Sequence, residues 1–107
     1  MAQTPLANQE LKLETATTSE ETVIRCIGRL TYTSSEILRS KVKGLLAETK
    51  RLVLDLKELS YLDSFGLGVL VGVYLSARQQ SCPLRLINVN QQAKEVLRIT
   101  NLNYLVE

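Results

Sequence analysis

Leu59-Ser60-Tyr61-Leu62-Asp63-Ser64-Phe65-Gly66-Leu67-Gly68 joins two apolar runs of different character. Before it, Leu52-Val53-Leu54-Asp55-Leu56 is short and almost wholly apolar, the pattern of a strand in the interior of a covered sheet. After it, Val69-Leu70-Val71-Gly72-Val73-Tyr74-Leu75 reads as a buried helix, which the pattern carries from about Ser64 or Phe65 to Gln80. A strand that feeds a helix through a short connection is the unit of an α/β fold. The connection itself gathers an acid, a hydroxyl and two glycines at a helix N-terminus. There the exposed amide N–H groups and the helix dipole favour a negative group. These residues suggest a serine that can carry phosphate, and therefore a switch more than a catalyst.

Working outward, Leu11-Lys12-Leu13-Glu14-Thr15 alternates as a half-buried strand does. The polar cluster from Thr17 to Glu21 is a turn, and Thr22 to Ile27 is a second strand ending at Gly28, so the two predict a hairpin. Thr33-Ser34-Ser35-Glu36 is a helix-start signal, with a hydroxyl at the cap and an acid in the first turn. The helix it opens sends Ile37, Leu38, Val42, Leu45 and Leu46 inward and stops near Lys50-Arg51. Beyond the central helix, Leu84 to Val89 is the next strand. Asn90 then caps a last amphipathic helix over 91–100, with Ala93, Val96, Leu97 and Ile99 as its apolar set. Tyr104-Leu105-Val106 is a candidate short last strand. The predicted order is β-β-α-β-α-β-α: an α/β domain with a mixed sheet of four to five strands and helices packed on it. No repeat or linker divides the chain. It reads as one domain over 1–107, with a polar stretch over 1–9 expected to fray.

Composition closes off several chemistries. With 107 residues, 45% hydrophobic and 22% charged, the chain has the make-up of one folded domain. Its net charge of +2 is too small to imply a nucleic-acid or membrane partner, and the basic residues Arg39, Lys41 and Lys43 do not keep to one helix face. The N-terminal stretch is polar, with Gln3, Asn8, Gln9 and Glu10, unlike a signal peptide. The uncharged run from Phe65 to Leu75 falls far short of the roughly twenty residues that span a bilayer. A cytoplasmic protein without membrane insertion is expected. The two cysteines, Cys26 and Cys82, read as reduced packing thiols. There is no histidine, hence no Ser-His-Asp triad, Cys-His pair or His-ligated metal. The only aspartates are Asp55 and Asp63, so a two-carboxylate site would need both. The sequence calls for no catalytic residues, no metal and no cofactor.

At the motif itself two readings stand side by side. Ser64 can serve as the helix N-cap, or it can present its hydroxyl for phosphate. Gly66 and Gly68 allow close approach by a phosphate or a partner, or close packing of the helix on the sheet. The latter also suits Gly72, in the small stripe Gly68, Gly72, Ser76. As a nucleotide site the glycines fit poorly. Gly66-x-Gly68-x-x-x-Gly72 misses the dinucleotide fingerprint by one residue, Asn88 stands where an acid is expected, and no Gly-Lys-Ser/Thr follows.

The stretch from Val53 to Leu56 and on through Leu62-Asp63-Ser64-Phe65-Gly66-Leu67-Gly68-Val69-Leu70 resembles the core signature of STAS domains, the anti-sigma factor antagonists. Gly28-Arg29-Leu30 resembles the family's strand-end motif, Leu84 to Val89 its fourth core strand, and Val96 to Leu102 its closing helix. The resemblance implies a small bacterial switch of partners. Such a protein binds an anti-sigma factor that is itself a serine kinase, and so frees the sigma factor. Phosphorylation of the serine after the aspartate ends the interaction, and a metal-dependent serine phosphatase resets it. By position that serine is Ser64, with Asp63, Phe65, Gly66, Leu67, Gly68 and Thr31 as its surroundings. Two positions depart from the pattern. Thr31 stands where many members carry an acid, and Phe65 stands where many carry a small hydroxyl residue, leaving it a partner anchor or a core residue. The resemblance leaves homodimerisation open. Two other readings remain: a STAS scaffold or transporter-associated subunit unphosphorylated at Ser64, and a small ligand-binding α/β domain.

Overall fold

The computed structural model describes residues 10–101. Its elements, in chain order, are β1 (Leu11–Thr17), β2 (Thr22–Leu30), α1 (Ser35–Leu45), β3 (Leu52–Asp55), β4 (Leu59–Leu62), α2 (Ser64–Gln79), β5 (Leu84–Ile87) and α3 (Gln91–Ile99). The N-terminal stretch 1–9 and the candidate strand Tyr104–Val106 lie outside the described residues.

β1 and β2 form the expected antiparallel hairpin, from Leu11 opposite Gly28 to Thr17 opposite Thr22. Its turn is held by Thr18, whose hydroxyl accepts the N–H groups of Glu20 and Glu21 at 3.2 and 3.1 Å. The strands added by crossovers are parallel: β3 runs beside β2, and β5 beside β3. In this register Ile24, Leu54 and Leu86 lie abreast, and all three are buried. They belong to one core that also takes Leu38 and Val42 from α1, Leu70, Val73 and Ala77 from α2, and Ala93 and Leu97 from α3. α1 and α2 also pack on each other.

One strand goes beyond the predicted order. Leu59–Leu62, read as connection, forms β4, so the order is β-β-α-β-β-α-β-α in a five-stranded mixed sheet. β2 is long enough to pair with β3 along Thr22–Arg25 and with β4 along Gly28–Leu30. The β2–β4 register shifts between Gly28 and Arg29, and Gly28 has a φ of 110°, a backbone state open to glycine and strained for other residues. A four-residue strand showing Ser60 and Tyr61 to solvent between Leu59 and Leu62 has no alternation by which periodicity could mark it.

Two helices also differ from expectation. α1 ends at Leu45 and closes through Leu46 N–H to Val42 O (3.1 Å) and Glu48 N–H to Leu45 O (2.9 Å), short of Lys50-Arg51. Its buried apolar residues are Leu38 and Val42, a row that the cap residue Leu46 continues at i,i+4 spacing, and Ile37 is exposed. In α3, Ala93 and Leu97 face inward by the same spacing, whereas Val96 and Ile99 are exposed. Asn90 caps α3 as expected, accepting Ala93 N–H at 2.8 Å.

Candidate functional site

The end of β2 and the start of α2 meet at one corner of the sheet. Asp63 N–H donates to Leu30 O at 3.3 Å, extending the β2–β4 pairing by one residue. The Asp63 carboxylate then accepts Gly66 N–H at 2.8 Å, and its carbonyl accepts Leu67 N–H at 2.9 Å. Asp63, in extended conformation, is therefore the N-cap, and the reading of Ser64 as the cap is corrected. The physical reason is reach. An extended residue before the first turn can turn its side-chain oxygen onto the N–H three residues on, whereas Ser64 is already helical.

Gly66 fixes this turn against β2. A Cβ there would lie 2.2 Å from Leu30 O and 2.8 Å from Leu62 Cδ1, so the helix start rests directly on the strand backbone. The close-packing reading of the glycines holds at Gly66 alone. Among the described residues a Cβ at Gly68 or Gly72 would meet nothing outside its own helix backbone within 4 Å, and both are exposed. Leu67 is half-buried and packs on the core.

These constraints leave Ser64 exposed at the first helical position. Among the described residues its hydroxyl makes no hydrogen bond. With Gly66 and Leu67 satisfied by Asp63, the amides of Ser64 and Phe65 are, among the described residues, the orphan donors of the first turn. Phe65 is 58% exposed, which removes it from the core. Its ring meets Tyr32 edge-to-face, with centroids 5.1 Å apart.

Thr31, which follows the end of β2 and directly precedes Tyr32, is 7% exposed. Its hydroxyl donates to the carboxylate of Glu10, which also faces Arg29 Nε at 3.8 Å. The Thr31 N–H donates to Ser34 Oγ at 3.0 Å, and Ser34 Oγ donates onward to Arg29 O at 2.7 Å. The Arg29 guanidinium lies 4.5 Å over the ring of Tyr61. Sequence reasoning missed Tyr32, Glu10 and Tyr61, because they arrive from separate elements and share no spacing with Ser64.

Asp55 takes no part. Its carboxylate accepts Lys57 N–H at 3.0 Å and the Asn88 side-chain amide at 2.9 Å, tying the end of β3 to the end of β5. The two aspartates thus hold separate structural turns, with β4 between them. Among the described residues no group of three or more His, Cys, Asp or Glu side chains could hold a metal. No described helix is long and apolar enough to cross a membrane.

With this geometry in place, the STAS domain family model matches residues 12–107. The chain belongs to the STAS domain family. It is 31% identical over 84 residues to the anti-sigma-B factor antagonist of Bacillus subtilis (strain 168), covering 78% of this chain and 77% of that protein. Its fold is that of the anti-sigma factor antagonist SpoIIAA in its unphosphorylated form: TM-score 0.75 at 23% identity, over 91% of this chain and 85% of that one. The phosphorylated form of SpoIIAA superposes with a TM-score of 0.72, at the same identity, over 91% and 88% of the two chains. In this STAS domain the signature read at Asp63–Gly68 is the start of α2, and the strand-end motif Gly28-Arg29-Leu30 is the rail on which that start is set.

Proposed function

We propose that this domain is an anti-sigma factor antagonist that acts in the cytoplasm and is switched by phosphate on Ser64. In the unphosphorylated state it binds an anti-sigma factor that is also a serine kinase. Transfer follows ordinary phosphoryl chemistry: Ser64 Oγ attacks the γ-phosphorus of the kinase's ATP, ADP leaves, and the hydroxyl proton passes to a base of the kinase. A metal-dependent phosphatase returns the serine by adding water across the ester.

The observation that carries this reading is the division of labour between Asp63 and Ser64. The cap belongs to Asp63, so the exposed Ser64 hydroxyl can be esterified without removing any hydrogen bond of the fold. A phosphate there brings a charge of about −1.5 to −2 at pH 7. The orphan amides of Ser64 and Phe65, at the positive end of α2, can solvate it. The fold is kept while the surface turns negative. Turning a partner from 99% to 1% bound takes about 5.5 kcal/mol, within reach of two charges placed in a desolvated contact.

The test is the intact mass of the protein from its own cells, beside a Ser64→Ala version. A phosphate-sized addition in the first and its absence in the second is the expected result. No addition under any growth condition would favour a STAS scaffold or transporter-associated subunit instead.

A further inference from the structure

The geometry points to Tyr32 and Phe65 as a two-ring anchor for the anti-sigma factor, received by an apolar, uncharged socket on that partner. The inference rests on the switch reading of Ser64 and adds to it which residues carry the binding and what surface they fit.

The two rings are the most conspicuous apolar groups at this corner. Tyr32 is 71% exposed and Phe65 58%, yet they touch edge-to-face. They come from different elements, the β2–α1 connection and the first turn of α2, so the contact is made only by the fold. Both are held by the backbone rather than by burial. Asp63 N–H on Leu30 O and the contact of Gly66 with Leu30 O set the α2 start against the strand end. Thr31 N–H on Ser34 Oγ and Ser34 N–H on Thr31 O (3.1 Å) set the connection that carries Tyr32. A pair so fixed loses little freedom on binding, the condition under which aromatic residues act as hot spots.

Charge identifies the socket. From Ser64 to Ala77 the sequence has no charged residue, and Gly68 and Gly72 leave the exposed side of the first turns flat as well as neutral. The nearby cation, Arg29, is engaged by Glu10 and Tyr61. The carboxylates at this corner are also engaged, Asp63 by Gly66 N–H and Glu10 by Thr31 and Arg29, so a partner charge buried here would find no free counter-charge and the complementary surface is apolar. The same fact couples the anchor to the switch. Phosphate on Ser64, next to Phe65 in the chain, would have to be desolvated inside a contact that offers it no spare cation.

The competing explanation is that the pair merely fastens α2 to the connection. It predicts a loss of stability without a loss of binding.

The experiment uses the kinase purified by following transfer of phosphate to Ser64, titrated by calorimetry in ATP-free buffer. Tyr32→Ala and Phe65→Ala are each expected to weaken binding by roughly 30-fold, the scale of a hot spot. Because the rings touch, the double variant should lose less than the product of the two. Tyr32→Phe should bind within about threefold of the parent, since ring contact and not the hydroxyl is invoked. Gly68→Glu guards against misfolding, because a Cβ at this exposed position meets no described atom within 4 Å and the carboxylate adds a charge to the helix start. It should keep the thermal midpoint and lose binding. If Tyr32→Ala, Phe65→Ala and Gly68→Glu all bind as the parent does while Ser64 is still phosphorylated, the anchor is wrong and the switch stands. If no kinase modifies Ser64, the switch reading fails and the anchor falls with it.

Discussion

Ser34 and Ser64 both stand at helix starts in this domain, and they do opposite things. Ser34, before α1, is 1% exposed and spends its hydroxyl inside the molecule, on Thr31 N–H and Arg29 O. Ser64, opening α2, is exposed and gives its hydroxyl to no group among the described residues. Each lies in a cluster that a reader of the sequence would take for a capping signal. Neither caps its helix through the side chain: α1 has no side-chain cap, and α2 is capped by Asp63. A hydroxyl becomes available for modification when a neighbour takes over its structural task. Ser34 has no such neighbour, and Asp63 is that neighbour for Ser64.

The α2 start bears directly on β2. Gly66→Ala forces a Cβ against the Leu30 carbonyl. It should cost about 3 kcal/mol, at the upper end of overpacking effects. In thermal unfolding this is a drop of roughly 15 °C for a domain of this size. Gly72→Ala, two turns on with open space around it, should instead stabilise by up to about 1 kcal/mol. Equal effects at the two glycines would mean that α2 does not rest on the strand.

Ser34→Ala removes a buried acceptor from Thr31 N–H and a donor from Arg29 O. A loss of about 2 kcal/mol in denaturant unfolding is expected. A neutral result would erase the contrast with Ser64.

The buried side of the molecule also has a pH signature. Burial first, and Asp55 second, push the Cys26 thiol up to about 12. In the unfolded chain the thiol ionises near 8.5. The native state therefore holds its proton where the unfolded chain has released it, and stability falls as pH rises from about 8.5 towards 12. At pH 10 the loss amounts to about 2 kcal/mol, to be read from urea midpoints of the parent against Cys26→Ala. Flat stability of the parent over that range would show that Cys26 opens to water.

Asp63→Ala should cost about 1 kcal/mol as a lost N-cap, and Asp63→Asn should recover most of it. The smallest effect is expected at the residue of greatest functional interest. Ser64→Ala should leave stability within about 0.5 kcal/mol of the parent, as for exposed sites with no partner. A larger loss would mean that the Ser64 hydroxyl is structural after all, and that phosphate would damage the fold as well as the surface.

By itself the sequence determined the hairpin, the three helices, the parallel strands β3 and β5, and the place of the Asp63–Gly68 turn. Each of these leaves a local mark. Alternation signals β1 and β2, and an unbroken apolar run signals β3. Asn90 marks the start of α3, and the glycines gather where strand gives way to helix. Other features depend on what lies across the molecule and have no local mark. β4 exists because β2 runs on past β3 and offers three more residues to pair with. Ile37, Val96 and Ile99 are exposed because α1 and α3 each bury a single apolar i,i+4 row, whatever apolar residues flank it. Only the tertiary structure could tell Asp63 from Ser64 as the cap, or Gly66 from Gly68 and Gly72 as the packed glycine. It alone brought Tyr32 to Phe65 and Glu10 to Thr31, because such contacts join residues far apart in the chain, and a sequence pattern records periodicity along one element and not proximity between two.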